Sequence, residues 1–436
     1  MDYVVDDILT KLSDKVDYSE VYLDTEKVTE ISVLNDAINY AKEEDVTGIG
    51  IRVINNQQQG FSYTTNINRI DEVIEQAIKN SKLNNPDENV AIIEKPKGYK
   101  EVSGLYDKRI ENVTLQEAIE TCNDLIEMVK QKECQPTSAE YEVSVGKTTI
   151  ANSNGVFASE EQTGSGISVS VNAEDGDGFS SAYAYDLSHG KELEIERIVQ
   201  ESTDLAKDSR NGQPTETRTT NVVLDYFAIS SLLSTFLSAL SSENIQRGRS
   251  YFQDKLNEIV TSETFSLYDD GTIPGARASS KFDDEGTPSQ KTELIKDGEL
   301  KNFIYDTYHA NKDERDVETT ANATRAGYSS VPSVGFTNIN TEFKELTQVS
   351  DIMDGITVHS VMGAHTANPI TGDFSVEARN AFEIKNGVIT NPIKKAMISG
   401  NIFEIMKNAT AATEEIRQVG SLITPKVLVK NLRVIG

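Results

Sequence analysis

The sequence has few of the features that mark an exported or membrane protein. Its two cysteines, Cys122 and Cys134, form no CxxC pair and no disulfide framework, so both are expected to be free thiols in a reducing compartment. No stretch approaches the ~20 apolar residues that a membrane span needs. The N-terminus, MDYVVDDILTKLSDK, is acidic where a signal peptide is basic. We therefore expect a cytoplasmic protein with no membrane partner.

Positive charge is also scarce. The 42 Lys and Arg residues are outnumbered by 70 Asp and Glu residues, which gives a formal net charge of −28. Nucleic-acid binding draws much of its affinity from basic side chains that neutralise phosphates, and no Lys/Arg-rich run is present. The sequence therefore predicts no nucleic-acid partner.

Histidine is the third scarce residue. None of the four, His189, His309, His359 and His365, lies in an HExxH or HxH arrangement. A catalytic zinc site usually takes three protein ligands, mostly His with a carboxylate or Cys, and a hydrolase of the α/β class has a GxSxG elbow that is absent here. Surface or hydrogen-bonded structural roles are therefore the simpler expectation for these histidines.

What is present indicates an α+β protein of several domains. At 436 residues the chain is too long for one ordinary core. We predict an N-terminal α/β segment over 1–95, a central helix–β-meander–helix segment over 100–212, and a β-rich C-terminal domain over 220–436. The N-terminal half should contain mixed or antiparallel sheets flanked by helices, and the C-terminal domain should be mostly antiparallel β.

Local patterns place the individual elements. Apolar residues at helical spacing predict helices over 4–12, 68–82, 114–130, 195–206 and 227–240. Alternating or β-branched runs predict strands over 20–23, 29–33, 36–42, 48–54, 60–64, 222–224 and 426–434. The pairs Asp297-Gly298 and Asn386-Gly387 predict two-residue hairpins, and the polar stretch 212–220 predicts a linker. The first two segments each place a meander between two helices, which suggests a shared architecture.

The densest polar cluster lies in the third segment. Asp269-Asp270-Gly271 is followed by Phe282-Asp283-Asp284-Glu285-Gly286. Paired carboxylates can hold a hard cation or carry out acid–base chemistry. Asp also commonly accepts backbone N–H bonds in Gly-containing turns, which favours a structural role here. An autonomous metal-dependent or acid–base peptidase that combines His309 and His365 with Asp283 and Asp284 remains an alternative.

The two acidic runs belong to a series of motif-like segments that spans nearly the whole chain. These segments are 48–53, 60–61, 269–272, 277–288, 294–300, 306–310, 320–325, 371–375, 386–394 and 420–425. In their order and spacing they resemble the signature of the TldD/PmbA family of metalloprotease subunits.

The resemblance also identifies what this chain lacks. The TldD type carries His-Glu-x-x-x-His on a helix and a Cys near the C-terminus, which together hold zinc. The matching positions here are 233–238, Leu-Ser-Thr-Phe-Leu-Ser, and Ser421. Leucine cannot ligate zinc and a neutral Ser hydroxyl is a poor ligand. The chain therefore resembles the PmbA type, also called TldE, whose members carry the older label "modulator of DNA gyrase".

The resemblance implies a non-catalytic subunit with no cofactor of its own. Its partner would be a TldD-like, zinc-bearing chain, and the substrate would be an unfolded or short peptide held between the two subunits. A homodimeric peptide-binding protein is a second alternative. The motif residues expected to form or brace the cleft are Gly271, Asp283, Asp284, Gly286, His309, Asn322 and Arg325.

Overall fold

The N-terminal half forms one sheet from two antiparallel meanders. The computed structural model describes residues 2–436, so Met1, the first residue of the predicted segment 1–95, lies outside it. The strands of this half are β1 (Tyr18–Leu34), β2 (Ala37–Asn55), β3 (Gln58–Thr64), β4 (Gln135–Asn152), β5 (Phe157–Asp175) and β6 (Gly178–Ser188). The helices are α1 (Asp2–Leu12), α2 (Ile70–Ser81), α3 (Leu115–Gln131) and α4 (Ile195–Asp208).

The two meanders repeat one plan, as the sequence suggests. Each is preceded by a helix and followed by a helix, and the strand order is β3-β2-β1-β4-β5-β6. The first strands, β1 and β4, pair antiparallel at the centre of the sheet. One continuous sheet therefore runs through both 1–95 and 100–212.

The strands at the sheet centre are longer than predicted. The runs 20–23 and 29–33 belong to one strand, β1, and 36–42 and 48–54 belong to one strand, β2. The polar residues between these runs suggested breaks, and that division was wrong. β1 pairs with β2 on one side and β4 on the other, so its backbone is hydrogen-bonded along its length whatever its side chains are.

The two faces of this sheet have different environments. Side chains of one parity, such as Val21 and Leu23, belong to a buried core with residues of α1 and α2. A second core joins β4 and β5 to α3 and α4. Because side chains alternate along a strand, Tyr22 and Asp24 point to the opposite face. That face is left to meet the C-terminal domain.

The C-terminal domain is built on a larger sheet of eleven strands, mostly antiparallel as expected, and also contains a separate two-stranded sheet formed by 323–324 and 333–334. Its strands are β7 (Arg218–Leu224), β8 (Phe265–Asp270), β9 (Lys291–Lys296), β10 (Glu299–Leu300), β11 (Ala323–Thr324), β12 (Ser333–Val334), β13 (Ile339–Phe343), β14 (Asp354–Met362), β15 (Asp373–Lys385), β16 (Val388–Ile393), β17 (Met397–Asn401), β18 (Ala409–Val419) and β19 (Leu422–Ile435). Its helices are α5 (Tyr226–Ser238), α6 (Ser242–Gln246), α7 (Thr307–Asn311) and α8 (Ile402–Met406). Short 3-10 turns cover Ile67–Arg69, Ile110–Asn112, Val349–Asp351 and Ala364–Thr366.

The main sheet runs in the order β10-β9-β8-β13-β19-β17-β15-β14-β7, and β7 also pairs with β19. The last five strands therefore close on themselves. The β13–β19 and β14–β7 pairs are parallel, and the remaining pairs of this sheet are antiparallel. Helix α5 contributes Leu232, Leu233 and Phe236 to the core beside these strands. β7 begins at Arg218, inside the stretch predicted as a linker.

Both predicted hairpins are confirmed. Asp297 and Gly298 have φ of 50° and 80°, and Asn386 and Gly387 have φ of 49° and 77°. Positive φ at both central residues is the conformation that two-residue hairpins require and that Asn/Asp-Gly pairs tolerate. Within residues 2–436, none of the helices is long and apolar enough to cross a membrane.

Candidate functional site

A groove crosses the face of the N-terminal sheet that is opposite its helices, and the C-terminal domain covers part of this groove. Three adjoining clefts form it, with volumes of about 390, 350 and 290 Å³. Strands β1, β4, β5 and β6 supply the floor, and the loop from Arg277 to Asp284 supplies part of the cover. Since neighbouring strands lie ~4.8 Å apart, the floor is about 14 Å wide from β1 to β6, enough for about four extended residues.

Part of the groove floor carries no side chain. Gly146, Gly164 and Gly166 lie along it. A Cβ added at Gly146 would meet nothing closer than the Thr25 carbonyl oxygen, at 3.8 Å. The space above Gly146 is therefore open, whereas a Cβ at Gly164 or Gly166 would lie 2.8 Å from Ser144 Oγ or Leu187 Cδ2.

The floor is also acidic. Burial is the largest cause that raises the pKa of its carboxyl groups above their ordinary values, and at Glu26 and Glu142 neighbouring carboxylates add to the rise. These carboxyl groups are those of Asp24, Glu26, Glu142 and Glu160. A polyanion would be repelled by this surface.

Arg277 lines all three clefts. Within the described chain its guanidinium makes no hydrogen bond or ion pair, and Nη1 is buried without a partner. Burial lowers the pKa of Arg277, and the carboxylates of Asp186 and Glu142 act in the opposite direction from a distance. The groove thus contains a cation whose hydrogen-bonding capacity is unused.

Buried ion pairs join the two domains beside the groove. Glu20 of β1 accepts hydrogen bonds from Arg52 Nε at 3.0 Å and Nη2 at 2.8 Å, and also from Arg325 Nη2 of the C-terminal domain. Arg52 Nη1 lies 3.5 Å from Glu285 Oε1. All four side chains are at most 5% exposed. Burial alone would raise the pKa of Glu20, but Arg52 and Arg325 outweigh it and lower the pKa.

The two central aspartates brace turns at this junction. Asp283 Oδ1 accepts the backbone N–H groups of Glu285 and Thr287 at 3.0 and 2.8 Å, and Oδ2 accepts that of Ala323 at 3.1 Å. Asp284 Oδ2 accepts the backbone N–H of Arg325 at 2.6 Å. Burial raises the pKa of both aspartates, and the nearby Glu285 adds to the rise at Asp283.

Two predicted glycines occupy tight positions in the same loops. Gly286 has φ of 85°, and a Cβ there would lie 2.9 Å from Val156 Cγ1 of the N-terminal half. Gly271 is buried, and a Cβ there would lie 3.2 Å from Ser289 Cβ. Both positions allow close packing that a larger residue would disturb.

Asn322 is fully buried and holds a third loop. Its Nδ2 donates to Asp269 Oδ1 and to the Gly335 carbonyl oxygen, both at 2.9 Å, and its Oδ1 accepts from Thr320 Oγ1 at 2.7 Å. Burial raises the pKa of Asp269 to about 6, although Thr337 and Asn322 oppose the rise through hydrogen bonds.

His309 and His365, the two histidines of the alternative peptidase site, lie outside the groove, whereas His189 lines it and has its ring nitrogens near the carbonyl oxygens of Thr163 and Ala276. His309 lines a separate cleft of about 480 Å³ with Arg52, Glu285 and Asp306, and its Nδ1 lies 2.7 Å from Asp306 Oδ1. His365 lies in the 3-10 turn Ala364–Thr366, and no contact described in residues 2–436 joins it to His309. Of the seven predicted site residues, Asp283, Asp284, Gly286 and Arg325 lie together at the domain junction, and Asp284 alone of the seven lines the groove. Asn322 makes its hydrogen bonds within the C-terminal domain.

Comparison with known proteins identifies the family. Three family models match in order: PmbA/TldA metallopeptidase domain 1 over 19–81, the central domain over 108–210 and the C-terminal domain over 217–436. The chain belongs to the PmbA/TldD metallopeptidase family. An uncharacterised protein of Methanocaldococcus jannaschii is 36% identical over 386 residues, which is 88% of each chain.

Solved structures of this family have the same fold. The chain is similar to TldE from Thermococcus kodakarensis, with a TM-score of 0.92 and 25% identity over 99% of this chain and 100% of that one. A Thermotoga maritima protein named as a candidate modulator of a DNA gyrase gives a TM-score of 0.91 at 21% identity, over 99% of both chains.

At the positions that the resemblance matches to the TldD zinc motif, the residues present do not fit zinc. Leu233 of α5 is buried in the core, and the Ser234 and Ser238 hydroxyls donate to carbonyl oxygens of their own helix. Ser421 is exposed at the turn between β18 and β19. Aliphatic and neutral hydroxyl groups are poor zinc ligands. Within residues 2–436, no group of three or more His, Cys, Asp or Glu residues is arranged to hold a metal ion.

Several candidate residues were not predicted from the sequence. Arg277 lies inside the motif run 277–288, where its sequence context does not distinguish it from its neighbours, and the acidic floor of β1 lies outside every motif. The signal is present in β1, where Glu20, Tyr22 and Asp24 alternate with the apolar Val21 and Leu23. When apolar and polar residues alternate in a strand whose apolar face is buried, the polar residues are predicted to line the opposite face of the sheet.

Proposed function

We propose that this chain is the zinc-less subunit of a two-chain TldD/PmbA-type metallopeptidase. It would form one wall of the chamber that holds an unfolded or short peptide, and a TldD-like partner chain would supply zinc. The observation that carries the proposal is the combination of an open, strand-floored groove with an α5 whose 233–238 stretch offers no zinc ligand. The similarity to Thermococcus TldE over 99% of the chain supports the same subunit type.

The groove suits an extended peptide. Its floor places Gly146, Gly164 and Gly166 among acidic and tyrosine side chains, so a peptide backbone can come close to the sheet at the glycines. Strand β6 lies at the edge of the sheet, beside the groove, where an extended peptide can add as a further strand. Binding of this kind depends mainly on backbone groups. We also propose a cytoplasmic location, which agrees with the free, buried Cys122 and Cys134.

Co-expression with the TldD-like chain from the same source tests the assignment. We expect the two chains to co-purify, zinc to be present in the pair and absent from this chain alone, and peptide cleavage to require both chains and to stop with a chelator. Stoichiometric zinc in the lone chain, together with chelator-sensitive cleavage, would instead establish the autonomous peptidase.

A plugged groove tests the role of this chain within the pair. In Gly146→Phe the new ring would fill the cleft, because a Cβ at this position has room. The matched control is Ser138→Phe, which lies on the same face of β4 but is exposed and outside the groove. We expect the first variant to pair normally and lose cleavage, and the second to keep both. Full cleavage by the Gly146→Phe pair would show that the groove holds no substrate.

A further inference from the structure

The unused donors of Arg277 set it apart from the other cations at the groove. Arg417 in the same groove binds Glu201 and Glu415, and its nearest carboxylate oxygens lie at 2.8 and 2.6 Å. Arg277 has five N–H donors and uses none of them within residues 2–436, although Nη1 is shielded from solvent. A buried donor without an acceptor costs free energy, and an acceptor group brought into the groove by a ligand would recover it.

The position of Arg277 suits a ligand rather than a structural partner. It lies where the three clefts meet, on the covering loop and facing the floor. A guanidinium presents a planar fork that matches a carboxylate in two parallel hydrogen bonds. The acidic floor disfavours a second negative charge nearby, so a ligand with one isolated carboxylate fits better than a phosphate-rich polyanion.

We propose that Arg277 is the carboxylate-binding residue of the groove and holds one carboxylate group of the bound peptide. The inference rests on the proposed function, since it names the group by which the peptide is recognised. That carboxylate is either the peptide's C-terminus or a single acidic side chain. The chemistry at Arg277 is the same for both sources, and probes that differ in only this group separate them.

Binding of three labelled peptides to the full chain tests the proposal. Each is a hexapeptide of Ala, Ser and Gly with a neutral coumarin at its N-terminus: one ends in a free carboxylate, one in a carboxamide, and one in a carboxamide with a single internal Glu. Measured by fluorescence anisotropy, one or both of the carboxylate-bearing probes should bind about tenfold or more tightly than the plain amide. Equal binding of all three, or no binding of any, would overturn the proposal.

Variants assign the preference to this residue. Arg277→Gln should abolish the difference between acid and amide probes, and Arg277→Lys should retain part of it as a point charge. Arg379→Gln is the matched control, because Arg379 is 45% exposed, lies outside the groove and loses the same charge. A preference that persists in Arg277→Gln would refute the assignment. The wild-type comparison needs no variant, so it decides the question even if a variant fails to fold.

Failure here and failure of the proposed function are distinguishable. Peptides that bind without a carboxylate preference would remove the role of Arg277 and leave the two-chain peptidase intact. A pair that neither forms nor cleaves would remove the subunit assignment, while the three-probe comparison on this chain alone would still report on Arg277.

Discussion

The ion pairs at the domain junction predict a large and specific loss of stability when one member is neutralised. Glu20 is 1% exposed and accepts hydrogen bonds from two guanidinium groups. In Glu20→Gln the shape is kept, but an amide NH₂ faces Arg52 or Arg325 and both cations lose their main counter-charge. Removing one partner of a buried ion pair costs about 3–5 kcal/mol. Since domains are stable by ~5–15 kcal/mol, the variant should unfold at a much lower urea concentration.

The assay is urea unfolding at pH 7 followed by far-UV circular dichroism. Glu415→Gln is the matched control: its side chain is 57% exposed beside Arg417, and the change should cost within about 0.5–1 kcal/mol. Combining Glu20→Gln with Arg325→Met should cost less than the sum of the single changes, because the buried charges are removed together. Strict additivity, or a Glu20→Gln cost no larger than that of the control, would refute the ion-pair reasoning.

The same variant has a defined pH dependence. The pKa of Glu20 is lowered in the folded chain, so its stabilising contribution is present above the ordinary glutamate pKa of about 4.5 and is lost as the pH falls through the lowered value. The difference in unfolding free energy between wild type and Glu20→Gln should therefore be full at neutral pH and shrink below pH about 4.5. A difference that grows toward acid pH would contradict this sign.

Three further predictions concern other parts of the chain. Gly286→Ala should cost about 2–3 kcal/mol of unfolding free energy, since it adds a clash to the positive-φ strain, whereas Gly176→Ala, with φ of 61° and open space around it, should cost about 1 kcal/mol by the same urea assay. The pKa of Asp269 is raised to about 6, so the folded chain binds a proton at this residue more readily than the unfolded chain does. The unfolding free energy should therefore fall as the pH rises from about 4 to 6, and Asp269→Asn should remove this part of its pH dependence. Cys122, whose pKa burial raises to about 12, and the buried Cys134 should resist iodoacetamide in the native chain and both react in urea, as mass spectrometry would show.

Local sequence patterns predicted those elements of the fold whose conformation is set by a few neighbouring residues. The Asn/Asp-Gly hairpins followed from backbone conformation alone, and α3 begins where Thr114 accepts the backbone N–H of Glu117 at 3.2 Å, as its capping sequence predicts. Strand length could not be predicted in this way. The 17 residues of β1 are held by two neighbouring strands, one of which lies more than a hundred residues further along the chain. That pairing is a tertiary effect, and it overrides the polar residues in the middle of the strand.

The candidate site was harder to predict, because a sequence motif does not distinguish residues that hold loops in place from residues that can bind a ligand. A side chain whose hydrogen bonds are already made within the chain has little capacity left for a ligand. Asp283 uses both oxygens on three backbone N–H groups, and Asn322 donates twice and accepts once within its own domain. Arg277 stands in the same motif run and uses none of its donors within residues 2–436. Only the folded chain separates these residues, because the contacts that satisfy Asp283 come from positions up to 40 residues away. The motif therefore identifies the loops that hold the C-terminal domain over the sheet. Among the residues of these loops, Arg277 has unused hydrogen-bond donors and is the one that can bind a ligand.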